Sequence, residues 1–96
     1  MLKLLVLPRA EQDLAEIYTY TLEEWGIQQA DRYQDELFKG MQTILNNPLI
    51  GKTYQHSELP YRMFHINRHL IFYRIQENNC LVVRVLHDSM NITAYL

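Results

Sequence analysis

The chain has 96 residues, with nine Lys and Arg against eleven Asp and Glu, a formal net charge of −2 and 48% hydrophobic residues. That length supports one domain over residues 1–96, with one core and modest stability to spare, and the charge balance excludes the dense basic footprint of a protein whose main business is gripping nucleic-acid backbone. No run of 18 apolar residues and no basic-then-apolar leader occurs, since Leu2 to Leu7 is short and contains Lys3, and the lone Cys80 excludes an intrachain disulfide framework, so a cytoplasmic protein without membrane contact is expected.

Leu2 to Leu7 is an apolar run that stops at Pro8, consistent with a buried strand followed by a proline in the first turn of a helix, where its missing N–H costs nothing. Leu14, Ile17, Tyr18, Thr21 and Trp25 then recur at three- and four-residue spacing and make one helix face. Gly26 suits a C-terminal cap. A second stripe, Ala30, Tyr33, Leu37, Met41, Ile44 and Leu45, ends before Pro48, and Trp25 and Tyr33 are assigned to the core with it. Leu49 to Pro60 has Gly51, Ser57 and Pro60 with no period and reads as a loop.

Tyr61 to Ile66, Leu70 to Ile75 and Leu81 to Leu86 are rich in β-branched and aromatic residues and read as a three-stranded antiparallel meander, with Asn67-Arg68 and Glu77-Asn78-Asn79 as turns. The order strand, helix, helix, strand, strand, strand predicts an α+β fold. A helical hairpin covers one sheet face, and the N-terminal strand pairs at an edge or beside a parallel neighbour. The helical half, residues 1–48, carries four basic and eight acidic side chains, whereas residues 49–96 carry five basic and three acidic together with all four His. An anionic ligand or any chemistry is therefore expected on the sheet.

With two-residue tips at Asn67-Arg68 and Asn78-Asn79, Arg62 opposes Tyr73 and Tyr73 opposes Arg84, while His65, Leu70 and His87 form a row on the other face. Two guanidiniums flanking an aromatic ring suit an anion or partner site; they equally suit arginines that stack on Tyr73 and bond at the sheet rim, which is the commoner use of Arg. His87 could act as a general base, but a lone His without an orienting partner is weak evidence of catalysis. Zinc binding by His56, His65, His69 and His87 is disfavoured because His65 and His69 point to opposite faces and no Cys pair supports them.

Pro8-Arg9-Ala10-Glu11-Gln12-Asp13-Leu14, Trp25-Gly26-Ile27-Gln28-Gln29-Ala30, Asn47-Pro48 to Gly51, Tyr61-Arg62, His69-Leu70-Ile71-Phe72-Tyr73-Arg74 and Arg84-Val85-Leu86-His87 together resemble the ParE branch of the RelE/ParE toxin superfamily, over nearly the whole chain. The resemblance implies a RelE-like fold and a non-enzymatic toxin of a bacterial toxin–antitoxin pair. Such a toxin inhibits DNA gyrase and is neutralised by a cognate antitoxin, with no cofactor, no metal and no direct sequence-specific nucleic-acid binding. Arg62, Tyr73, Arg74, Arg84 and His87 are the partner-binding candidates. The alternatives are a ribosome-dependent mRNA endonuclease using Arg62, Arg84 and His87, or a degenerate toxin that only binds antitoxin. Ribonucleolytic members place an Arg early in the strand after the first hairpin and basic residues near the C-terminus; this chain has Leu70 at the first position and Asp88-Ser89-Met90-Asn91 after His87.

Overall fold

The computed structural model of the chain describes residues 2–56 and 59–96, including all side chains in that range except those of Gln55, His56, Leu59 and Thr93. The elements run β1 (Lys3–Val6), α1 (Pro8–Trp25), α2 (Ile27–Asn46), β2 (Lys52–His56), β3 (Leu59–Ile66), β4 (His69–Gln76), β5 (Asn79–His87) and α3 (Ile92–Tyr95). They form a sheet in the order β1-β5-β4-β3-β2, in which β1 runs parallel to β5 and the other neighbours are antiparallel. The α+β architecture, the helical hairpin and the parallel docking of the first strand follow the expectation.

Pro8 opens α1, whose buried residues Ala10, Asp13, Leu14 and Thr21 line one face. Gly26 separates the helices at φ +90°, a conformation glycine adopts without steric cost. From α2, Leu37, Met41 and Ile44 are fully buried against Ile71, Tyr73, Cys80, Val82 and Val85 of the sheet. Each such side chain contributes about 1.5–3 kcal/mol by leaving water. Cys80 is an apolar filler in this core, and burial pushes its thiol up to about 11. Gly40 lets α2 approach the sheet, since a Cβ there would stand 2.9 Å from a methyl of Ile66. A second cluster on the far side of the sheet joins Leu70, Phe72 and Leu86 to Tyr54, Met63, Ile92 and Leu96, so the C-terminal segment covers part of that face.

Three expectations are corrected. Lys52–His56, read as part of a loop, is an edge strand paired with β3; its side chains show no apolar alternation because one long edge is open, and backbone pairing alone defines it. Ser57 and Glu58, from the same expected loop, lie outside the described residues. Trp25, assigned to the core, is 72% exposed because it ends α1 at the hairpin turn. The second tip is Glu77-Asn78, since Gln76 pairs with Asn79, and a β-bulge follows: Tyr73 pairs with Val82 but Phe72 with Arg84, leaving Val83 as the extra residue.

Both hairpin tips begin at positive φ, Asn67 at 53° and Glu77 at 57°. Asn tolerates this region better than Glu, because its short amide side chain can hydrogen-bond the local backbone and offset the crowding of Cβ against the carbonyl. Glu77→Asn is expected to stabilise the fold by up to about 1 kcal/mol, read as a higher urea midpoint at unchanged slope. An unchanged or lower midpoint would show that the tip carries no such strain.

Candidate functional site: a groove over paired histidines

The bulge divides the expected Arg62–Tyr73–Arg84 row. Arg62 does oppose Tyr73, on the helix side, but Arg84 opposes Phe72, whose ring belongs to the second cluster. Tyr73 is fully buried; its hydroxyl donates to the Pro48 carbonyl at 2.7 Å and accepts the Gly51 N–H at 3.0 Å. Burial raises the Tyr73 pKa above the ordinary phenol value. Arg62 donates through Nη1 to the Gly51 carbonyl at 2.8 Å and the Leu49 carbonyl at 3.3 Å. These two side chains clamp the segment between α2 and β2. A Cβ on Gly51 would lie 2.8 Å from the Tyr73 hydroxyl, which is why glycine stands there.

Arg84 is buried against α1. Its Nε and Nη2 donate to the Asp13 carboxylate at 2.8 Å each, and Nη1 donates to the Tyr95 carbonyl at 2.7 Å. The hydrogen bonds to Asp13 raise the guanidinium pKa further. Asp13 Oδ2 also accepts the Val85 N–H at 2.9 Å. The structure therefore does not bring Arg62, Arg84 and His87 together: both guanidiniums are engaged, in different places. Arg74 is half-buried on β4, with its Nε sealed from solvent and without an acceptor among the described residues.

His87 opposes His69, and Leu70 opposes Leu86, one residue away from the expected register because of the tip and the bulge. The two imidazoles meet edge to face at 5.2 Å, and Tyr33 meets His69 in the same manner at 5.4 Å. The Tyr33 hydroxyl lies 2.6 Å from His69 Nδ1 and accepts the Arg68 N–H at 3.3 Å. The Tyr33–His69 contact is a single hydrogen bond whose direction follows the imidazole tautomer. Burial, and then His87, lower the His69 pKa to about 4. His87 Nδ1 lies 2.7 Å from the Ser89 hydroxyl and accepts the Ser89 N–H at 3.1 Å. His65 faces Asp88 at 3.1 Å, at the exposed rim.

Above these rings lies a groove of about 550 Å³, lined by Glu16, Ile17, Tyr20, Trp25, Arg68 and Met90. Tyr20 is 63% and Trp25 72% exposed, so the groove presents bare aromatic surface beside an imidazole floor. That arrangement suits an apolar side chain of a partner flanked by polar groups. Sequence reasoning missed Tyr20 and Met90 and read Tyr33 as core alone; the signal for Trp25 was its place beside Gly26, where a helix ends.

Two predictions follow from this geometry. Removing Asp13 strands a buried cation, so Asp13→Ala is expected to cost about 3–5 kcal/mol in chemical denaturation, whereas a loss under about 1 kcal/mol would mark the pair as solvent-screened. Folded His69 binds its proton near pH 4, below the unfolded imidazole at 6.5, so the unfolded chain holds more protons in between. Stability should hold above pH 6.5 and fall between 6.5 and 4; His69→Gln should flatten the slope above pH 5, and an unaltered slope would assign it to other groups.

The family model described as "ParE toxin of type II toxin-antitoxin system, parDE" matches residues 4–92. The chain is 36% identical over 88 residues to Toxin ParE1 of Caulobacter vibrioides, covering 92% of this chain and 91% of that protein. It is 36% identical over 89 residues to Toxin ParE1 of Mycobacterium tuberculosis, with the same coverage. A solved structure of the chromosomal ParDE TA system from P. aeruginosa superposes with a TM-score of 0.77 at 18% identity, covering 91% of this chain and 96% of that chain, and shows the fold. The chain belongs to the ParE toxin family of type II toxin–antitoxin systems.

Proposed function

We propose that this chain is a cytoplasmic, non-enzymatic toxin that inhibits DNA gyrase and is held inactive by a cognate antitoxin seated in the groove between α1 and the His69–His87 end of the sheet. The observation that carries the antitoxin reading is the bare Tyr20 and Trp25 surface lining a groove, the kind of cleft that takes the apolar side of an amphipathic helix. The relatives' names, which describe toxins and a paired ParDE system, support the same reading. The engagement of Arg62 with loop carbonyls and of Arg84 with Asp13 supports a binder over a nuclease, since neither guanidinium is free to meet a phosphorane. Among the described residues, no helix is long and apolar enough to cross a membrane.

The test is co-expression with the adjacent reading frame. A stable complex should form with a raised melting temperature, as linkage requires, and Trp25→Ala or Tyr20→Ala should each weaken it about 30-fold or more. An isolated chain equally stable with and without that neighbour would remove the antitoxin reading. Free toxin should block supercoiling in vitro and cause filamentation with a DNA-damage response, and His87→Gln should keep that activity. An RNase would instead lose at least about 100-fold with its base; codon-phased cleavage of ribosome-bound mRNA, abolished by His87→Ala in a folded variant, would overturn the gyrase reading.

A further inference from the structure

Charge in this chain is segregated by element. The two long helices hold eight of the eleven carboxylates, and no strand contains Asp or Glu, whereas the strands carry Lys3, Lys52, Arg62, Arg74 and Arg84. Arg62 and Arg84 are engaged internally. Arg74 is not: among the described residues its guanidinium has neither a hydrogen-bond nor an ion-pair partner, and its Nε is closed off from water. A buried donor without an acceptor demands an explanation, because native proteins satisfy nearly all such groups.

Strand alternation puts Arg74 on the same face as Leu70 and Phe72, away from the helical hairpin. Leu81 stands opposite it on β5, and exposed Leu5 opposite Leu81 on β1, with exposed Lys3 two residues earlier on that face. Towards the other edge, Tyr61 pairs with Tyr54, which meets Phe72 edge to face at 5.7 Å, and exposed Lys52 precedes Tyr54 by two residues. The result is a free guanidinium between two tyrosines and two leucines, flanked by a lysine on each side.

Charge complementarity names the occupant. A guanidinium fork without internal acceptors matches a carboxylate bidentately, and the surrounding Tyr and Leu surface suits the partly apolar skin of another protein. A phosphate backbone is the poorer match, because three cations on a chain of net charge −2 are too few for a polyanion footprint. The helix-side groove, with Glu16 on its wall, faces a different partner from a different side. We propose that the sheet face centred on Arg74 docks an acidic surface of the toxin's target protein, separately from the groove that takes the antitoxin.

This assignment rests on the toxin reading above, and its test is arranged so that the two can fail apart. Arg74→Glu and Arg74→Met are made in the full chain, with melting temperature as the control for folding and Met as the variant that keeps the packing. Both should bind antitoxin within about threefold of the parent, since the groove is remote, while growth arrest is lost and gyrase inhibition needs at least about tenfold more protein, a single hot-spot contact. Inhibition by the parent should weaken with added salt. Growth arrest by Arg74→Glu at parental strength overturns the proposal, as does a parallel loss of antitoxin affinity, which would give the face to the antitoxin. Salt-sensitive binding of a 30-nucleotide single strand by the parent, abolished in Arg74→Glu, overturns it in favour of nucleic acid. A parent chain that arrests growth without touching gyrase sinks the gyrase reading alone, and the Arg74 variants still decide the role of the face; a parent that arrests nothing sinks both.

Discussion

The arrangement of the whole molecule depends on one carboxylate at a place where a strand runs out. β1 leaves β5 after Val6, with Leu7 donating a last bond to the Val82 carbonyl, and the chain turns into α1. Beyond that point β5 has an uncovered edge inside the protein, and an unpaired N–H there would be costly. Asp13, one turn into α1, takes the Val85 N–H and at the same time grips Arg84 through both oxygens. A side chain thus continues the sheet where backbone cannot. Arg84 extends the same node to the Tyr95 carbonyl, so helix, central strand and C-terminal segment share a single anchor. A buried pair of this kind adds little net stability over an apolar replacement; what it does is fix one geometry, because half of it left alone is severely unfavourable.

The bulge at Val83 belongs to the same design. It lets Val82 and Val85, three residues apart, both face the helices, and it turns Arg84 out of that core towards the edge where Asp13 waits. It also sets His87 opposite His69, and so builds the floor of the groove. Local chain geometry on β5 therefore decides where the polar groups on both sides of the sheet end up.

This explains which parts of the structure the sequence made legible. The ends of α1 were written in Pro8 and Gly26, and the β3 to β4 register in Asn67, because each of these residues answers a backbone demand that only a few residue types meet. The alternation of β4 and the stripe of α2 named most of the core. β2 was hidden because an edge strand needs no apolar period, and the bulge because nothing in Val82-Val83-Arg84 distinguishes two residues opposing one from regular pairing. The misplaced row of Arg62, Tyr73 and Arg84 follows directly: a register off by one residue changes the face of every side chain beyond it. Arg62 and Tyr73 were found as neighbours, but their common task, holding the Pro48–Gly51 segment, required knowing which backbone groups that segment leaves unsatisfied.

The parallel pairing of the first strand with the last strand of the sheet has a consequence for how the protein comes into being. Asp13 and Arg84 lie 71 positions apart in the chain, and neither β1 nor the Asp13 node can close until β5 has left the ribosome. Helices form on their own contacts as they emerge, but the β1 edge of the sheet is completed only when β5 arrives. A nascent chain of this topology holds its first strand in waiting. The surface built on the closed sheet exists only once β5 has paired with both of its neighbours.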